Sequence, residues 1–166
     1  MSDPNDAAGV ERELIAVGVD GSEPSKRALS WAARQAERAD ADLQAVIAWE
    51  PPEVFGWMPP PAGWTTDFSA DARRVLESSV TAVLGSDPRV PLTLQVLEGS
   101  PALVLDEISQ RADLLVVGNK GRRALEEMFL GSVSLHCVFH AACPVTVVRP
   151  RRPVEGPSGP STGTRS

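Results

Sequence analysis

The chain is 166 residues long, 42% hydrophobic and 23% charged, with a formal net charge of −6 and a pI near 4.9. That length suits one domain with a substantial core better than two. An acidic chain without a basic block is a poor match for nucleic acid or for an anionic membrane surface, and no apolar run is long enough to span a bilayer.

Residues 1–11 are polar and breaker-rich, without the basic start and apolar stretch of a signal peptide. They read as a disordered tail, as do residues 151–166, rich in Pro, Gly, Ser and Thr. Residues 12–150 read as the folded domain. Leu14–Val19 is a short run, apolar on both faces as a central parallel strand should be. Pro24 opens a helix in which Ala28, Leu29, Ala32, Ala33 and Ala36 recur at helical spacing. Leu43–Trp49 is a second strand. The stretch 51–67 carries two of the four tryptophans among repeated prolines. It reads as a surface loop whose aromatics pack on the domain, with a lid or a docking loop as the functional alternative.

Leu76, Val80, Val83 and Leu84 mark a second helix ending near Gly85, and Leu92–Leu97 alternates as a third strand. Ser100 and Pro101 cap and open a third helix carrying Leu103, Val104 and Ile108. Asp113–Val117, Val133–Ala141 and Val145–Val148 follow as strand, helix and strand. Strands alternating with helices in this way predict an α/β fold: a single doubly wound, five-stranded parallel sheet, Rossmann-like, with helices on both faces, whose order is 3-2-1-4-5 if the chain starts in the middle, winds outward one way and returns to the other side. Ligands of such sheets bind at the switch point, here the carboxyl ends of strands one and four. Asp20 ends the first and Gly118 the second.

The chemistry is concentrated there. Gly118-Asn119-Lys120-Gly121 follows a buried strand; after nine further residues comes Gly131-Ser132-Val133-Ser134, which opens a helix. Glycines let backbone approach closely, and the free N–H groups of a helix start favour an anion. The pair describes a phosphate cradle, although a lone GxxG is usually only a tight turn. Lys120, Arg122 and Arg123 could neutralise phosphate or be merely solvated. Ser132 and Ser134 could bond phosphate oxygens or cap the helix. Asp20 could accept from a ribose or an adenine amino group, or cap the helix after it. His136 and His140 stand four apart with Cys137 between them, a spacing that can bind zinc, but no third ligand or general base accompanies them. The reading is therefore no metal site and no catalytic residues. Cys137 and Cys143, without a CxxC, suit reduced thiols in the cytoplasm.

Val17-Gly18-Val19-Asp20-Gly21-Ser22, Gly99-Ser100-Pro101-Ala102, Val116-Val117-Gly118, the G-x2-G-x9-G-S spacing and His140-Ala141-Ala142-Cys143-Pro144-Val145 together resemble the universal stress protein family over residues 13–149. The resemblance implies a homodimer joined through the last strand, Val145, Thr146, Val147 and Val148, and the branch of the family that binds ATP. It places Asp20, Ala48 and Val117 at adenine or ribose. Gly118, Gly121, Gly131, Ser132, Val133 and Ser134 surround ribose and phosphates, with Mg²⁺ accompanying the nucleotide. Gly18, where relatives can have proline, and Ala48, in place of a larger branched residue, loosen the adenine pocket. The implied role is a nucleotide-dependent regulator or sensor. The alternatives are a slow ATP hydrolase and a nucleotide-independent dimeric interaction protein.

Overall fold

A computed structural model describes residues 12–51, 67–122 and 130–150. The two expected tails and the expected loop, apart from Pro51 and Asp67, lie outside the described residues, as does Arg123. The elements run β1 (Leu14–Gly18), α1 (Glu23–Ala39), β2 (Asp42–Trp49), α2 (Phe68–Leu84), β3 (Leu92–Glu98), α3 (Pro101–Ser109), β4 (Leu114–Gly118), α4 (Ser132–His140) and β5 (Val145–Val148). The sheet order is β3-β2-β1-β4-β5 with every neighbouring pair parallel. Val17 stands between Ala45 of β2 and Val116 of β4, so β1 is central and the expected switch point is formed.

Local chemistry accounts for the helix boundaries. Ser22 caps α1 by accepting from the Ser25 N–H at 3.3 Å, and Pro24 occupies the first turn, where its missing N–H costs nothing. The helix ends at Asp40 in a left-handed conformation (φ 52°), which a short polar side chain tolerates. The α2 helix begins earlier than its apolar pattern predicts, because its first turns carry Asp71, Arg73 and Arg74 outward and only Ala72 and Leu76 there are buried. The Asp67 carboxylate, accepting from the Ala70 N–H at 3.0 Å, sets that start.

Two apolar layers result. Val17, Leu29, Leu43, Ile47 and Leu76 pack between the sheet and the α1/α2 side. Ala16, Val46, Leu105, Ile108, Leu115, Val117 and Cys137 pack between the sheet and the α3/α4 side. A fully buried leucine such as Leu29 or Leu115 contributes about 1.5–3 kcal/mol in such a layer. Among the described residues no helix is long and apolar enough to cross a membrane.

Both cysteines are free thiols. Burial, reinforced by the nearby negative charge of Asp106, pushes the Cys137 thiol up to about 11, and burial raises Cys143 as well. Thiolate is the reactive form. Native protein near pH 8 should therefore react with Ellman's reagent far more slowly than protein in urea. Rapid release of two equivalents from the folded protein would contradict this burial.

Candidate functional site

Three backbone segments converge at the carboxyl ends of β1 and β4: the Asp20–Ser22 turn, the Gly118–Arg122 turn and the first turn of α4. Their contacts explain most of the residues that the sequence singles out. The Asp20 carboxylate joins the first two segments. Its Oδ1 accepts from the Ser22 N–H at 3.0 Å and from the Ser22 hydroxyl at 2.6 Å, and its Oδ2 accepts from the Arg122 N–H at 2.8 Å. The second and third are joined by the Gly131 N–H donating to the Asn119 carbonyl at 2.8 Å and the Ser134 hydroxyl donating to the Gly118 carbonyl at 2.6 Å.

The glycines are where these segments approach one another. A Cβ on Gly118 would lie 2.7 Å from the carbonyl carbon of Pro24, so this glycine admits the start of α1. On Gly121 it would lie 3.0 Å from Asp20 Oδ2, and on Gly131 3.4 Å from the Lys120 Cα. Both glycines of the G-x2-G turn thus face neighbouring protein atoms and hold the walls of the crevice together.

Among the described residues, no side chain caps the first turn of α4. Gly131 is its N-cap and makes no side-chain cap bond. The N–H groups of Ser132, Val133 and Ser134 therefore lack intrahelical acceptors, at the positive end of the helix dipole. Ser132 is exposed, whereas the Ser134 hydroxyl is buried and committed to Gly118. Val133 packs against the α3/α4 layer and leaves its backbone at this turn. Ala48 is half-buried near the end of β2, and Val117 is 3% exposed within the same layer. Beside them, a Cβ on Gly18 would lie 3.0 Å from Leu105 Cδ1 and 3.7 Å from Val117 Cγ1, so Leu105 occupies the space beside this glycine.

Sequence reasoning missed Asn119. It is 8% exposed, its Oδ1 has no hydrogen-bond partner among the described residues, and its N–H donates to the Val148 carbonyl of β5 at 3.1 Å. The available signal was an amide side chain placed directly between a buried strand and the glycine turn. The His136 and His140 rings lie tilted against each other with centroids 4.4 Å apart, and no group of three or more metal-ligating side chains occurs among the described residues. Two shallow hollows, of about 250 and 410 Å³, open between α1 and α2 around Ser30 and Val83, away from the crevice.

Burial opposes charge on Asp20, but the hydrogen bonds from Ser22, Ser25 and Arg122 outweigh it, and the carboxyl is held below its ordinary value of 3.8. The stability it contributes is complete above the unfolded pKa and is lost as pH falls through the lower folded value. Asp20→Asn would turn an amide donor toward Ser22 or Arg122. It should cost about 1–3 kcal/mol at neutral pH and make urea stability less sensitive to acidification below about pH 4. Parallel pH profiles for the two proteins would contradict this role.

Comparison with known proteins agrees with this geometry. The model described as "Universal stress protein family" matches residues 11–149. A universal stress protein of Mycobacterium tuberculosis is 33% identical over 153 residues, covering 89% of this chain and 50% of the relative. Another from the same organism is 36% identical over 135 residues, covering 81% and 44%. The chain thus spans about half the length of these curated relatives. Among solved structures, the universal stress protein UspA from Lactobacillus plantarum matches with a TM-score of 0.66 at 21% identity, over 84% of this chain and 99% of that one. A universal stress protein solved in complex with cAMP matches with a TM-score of 0.54 at 24% identity, over 83% and 97%.

Proposed function

The chain belongs to the universal stress protein family, and we propose that it holds an adenine nucleotide, ATP with Mg²⁺, at the carboxyl ends of β1 and β4 and acts as a cytoplasmic regulator or sensor. One observation carries the reading: the first turn of α4, which no side chain caps among the described residues, adjoins the Asp20 and Gly118–Arg122 segments. The N–H groups of Ser132, Val133 and Ser134, with the Ser132 hydroxyl, would hold the phosphates. Asp20 would meet the ribose or base, and Ala48 and Val117 would lie on the adenine side. Gly118, Gly121 and Gly131 keep the walls close enough to form the cradle. The neighbour solved with cAMP supports the fold's capacity to seat an adenine nucleotide.

The residues fit holding better than turnover. Both Asp20 oxygens already accept hydrogen bonds within the fold, which disfavours a role as base toward water. Mg²⁺ in this reading arrives with the triphosphate and neutralises part of its charge. A homodimer joined through β5 belongs to the same proposal.

A second reading has its own observation. Gly118 and Gly121 are accounted for by Pro24 and Asp20, so the glycines could serve packing alone in a nucleotide-independent interaction protein. ATP incubated with equimolar protein and separated by chromatography distinguishes the readings. Retained, unhydrolysed ATP supports the holding role. Repeated conversion to ADP would favour the hydrolase, and no retention would favour the interaction protein.

A further inference from the structure

Asn119 carries a polar atom that the described fold leaves unsatisfied. The residue is 8% exposed, and its Oδ1 is buried without a hydrogen-bond partner among the described residues. A buried amide oxygen in that state has given up its bonds to water and gained none in return, so each such atom in a native fold calls for a reason. The backbone of the same residue is fully engaged. Its N–H donates to the Val148 carbonyl at 3.1 Å, and its carbonyl accepts from the Gly131 N–H at 2.8 Å. Asn119 is thereby fixed to the end of β5 and to the N-cap of α4, and its side chain is positioned through its main chain.

Strand alternation shows which face that side chain takes. Val117 packs in the α3/α4 layer, whereas a Cβ on Gly118 would point at Pro24 of α1. The bond from the Asn119 N–H to Val148 continues the β4–β5 ladder by one residue. Asn119 therefore returns to the Val117 face, the one on which α4 begins. In the nucleotide reading it stands between Val117 on the base side and the first turn of α4 on the phosphate side. The part of a nucleotide that joins base to phosphate is its sugar. A bare acceptor narrows the partner further. Ionised phosphate oxygens have no proton to donate and the adenine amino group lies at the far edge of the base, but a ribose hydroxyl donates.

We propose that Asn119 Oδ1 accepts a hydrogen bond from a ribose hydroxyl of the bound nucleotide, and that this side chain makes the site prefer a ribonucleotide to its deoxy counterpart. The assignment rests on the nucleotide reading of the crevice and deepens it with a sugar-reading side chain that the glycine spacing does not mark. Preference follows from the state of the oxygen. A ribose hydroxyl pairs it, whereas a deoxy sugar leaves it unpaired, and a site built to bond a hydroxyl rejects the analogue that lacks one. Asp20 is the competing reader of the sugar. Its two oxygens already accept from Ser22 and Arg122, so a missing hydroxyl leaves neither of them unpaired.

Calorimetric titration of the full chain with the Mg²⁺ complexes of ATP, 2′-deoxy-ATP and 3′-deoxy-ATP tests this, since the two analogues each lack one hydroxyl. Wild type should bind one of them at least about tenfold more weakly than ATP, the effect of one lost hydrogen bond. Asn119→Leu, close in shape but without an acceptor, should bind ATP and that analogue equally. Its urea midpoint should be no lower than that of wild type, because the unpaired buried oxygen is gone. Asn119→Ala is a smaller replacement that should lose the preference in the same way. Wild type binding all three ligands equally would overturn the role of Asn119 and leave the nucleotide reading intact. A preference undiminished in both variants would do the same and assign the hydroxyl to Asp20. Variants with an unchanged preference but an altered Mg²⁺ dependence of affinity would place a metal-bound water at the amide, against the ribose assignment. If neither variant folds, the side chain has a structural task and the assignment falls. A folded wild type that binds none of the three overturns the nucleotide reading and this inference together.

Discussion

Gly118→Ala should lower the stability of the protein by about 3 kcal/mol, whether or not nucleotide is present, because an inserted methyl group must displace packed structure. The added Cβ would stand 2.7 and 2.8 Å from the carbonyl carbon and oxygen of Pro24. Those are backbone atoms in the first turn of α1, fixed by the Ser22 cap and by the burial of Ala28 and Leu29 beyond it. Relief requires moving either α1 or the end of β4. For a chain of this size the loss corresponds to a fall of roughly 6–12 °C in melting temperature. Gly131→Ala provides the contrast. Its Cβ would have no neighbour closer than 3.4 Å, and its backbone is ordinary extended structure (φ −74°, ψ 161°). It should cost less than about 1 kcal/mol. Urea titrations of both variants decide the matter, and equal losses would contradict the packing role of Gly118.

Ser132→Asp should separate folding from binding, with effects of opposite sign. Ser132 is exposed at the start of α4, where the helix dipole welcomes a negative charge. The substitution should leave stability unchanged or raise it by about 0.3–1 kcal/mol. The same carboxylate would occupy the anion position beside the open N–H groups and repel a phosphate. Even well-screened like charges at contact distance cost about 1 kcal/mol, and several times that near a protein surface, so affinity should fall at least about tenfold. An unfolded variant would show that the first turn of α4 has another structural task. A folded variant with undiminished nucleotide affinity would place the phosphates elsewhere.

These two positions also show how far the sequence could be read. The alternation of apolar runs and helical spacings was sufficient to tell strands from helices, because strands buried on both faces and helices buried on one leave different periods, while the order β3-β2-β1-β4-β5 needed the further premise that the chain starts at the centre and winds outward in each direction. The start of α2 was not legible, since Asp71, Arg73 and Arg74 dilute the apolar spacing in its first turns. Spacing identified the segments of the crevice but not what each residue touches. Gly118 reads as room for a ligand until Pro24 is seen against it. Asp20 reads as a ligand contact or a helix cap, and its additional bond to the Arg122 N–H, far along the chain, is seen only in the fold. Ser134 looks like a phosphate donor until its hydroxyl is found on the Gly118 carbonyl. Each is a contact between segments remote in sequence, which no local pattern encodes. Asn119 escaped notice for the same reason: its buried, unpaired amide oxygen is a property of the assembled turn.

The most direct measurement is a calorimetric titration of folded wild-type protein with ATP and Mg²⁺, with GTP titrated alongside. The account predicts saturable heat for one ATP per chain and much weaker heat for GTP, because the base side of the crevice, near Ala48 and Val117, is apolar. No saturable heat with ATP from a protein shown to be folded would contradict it.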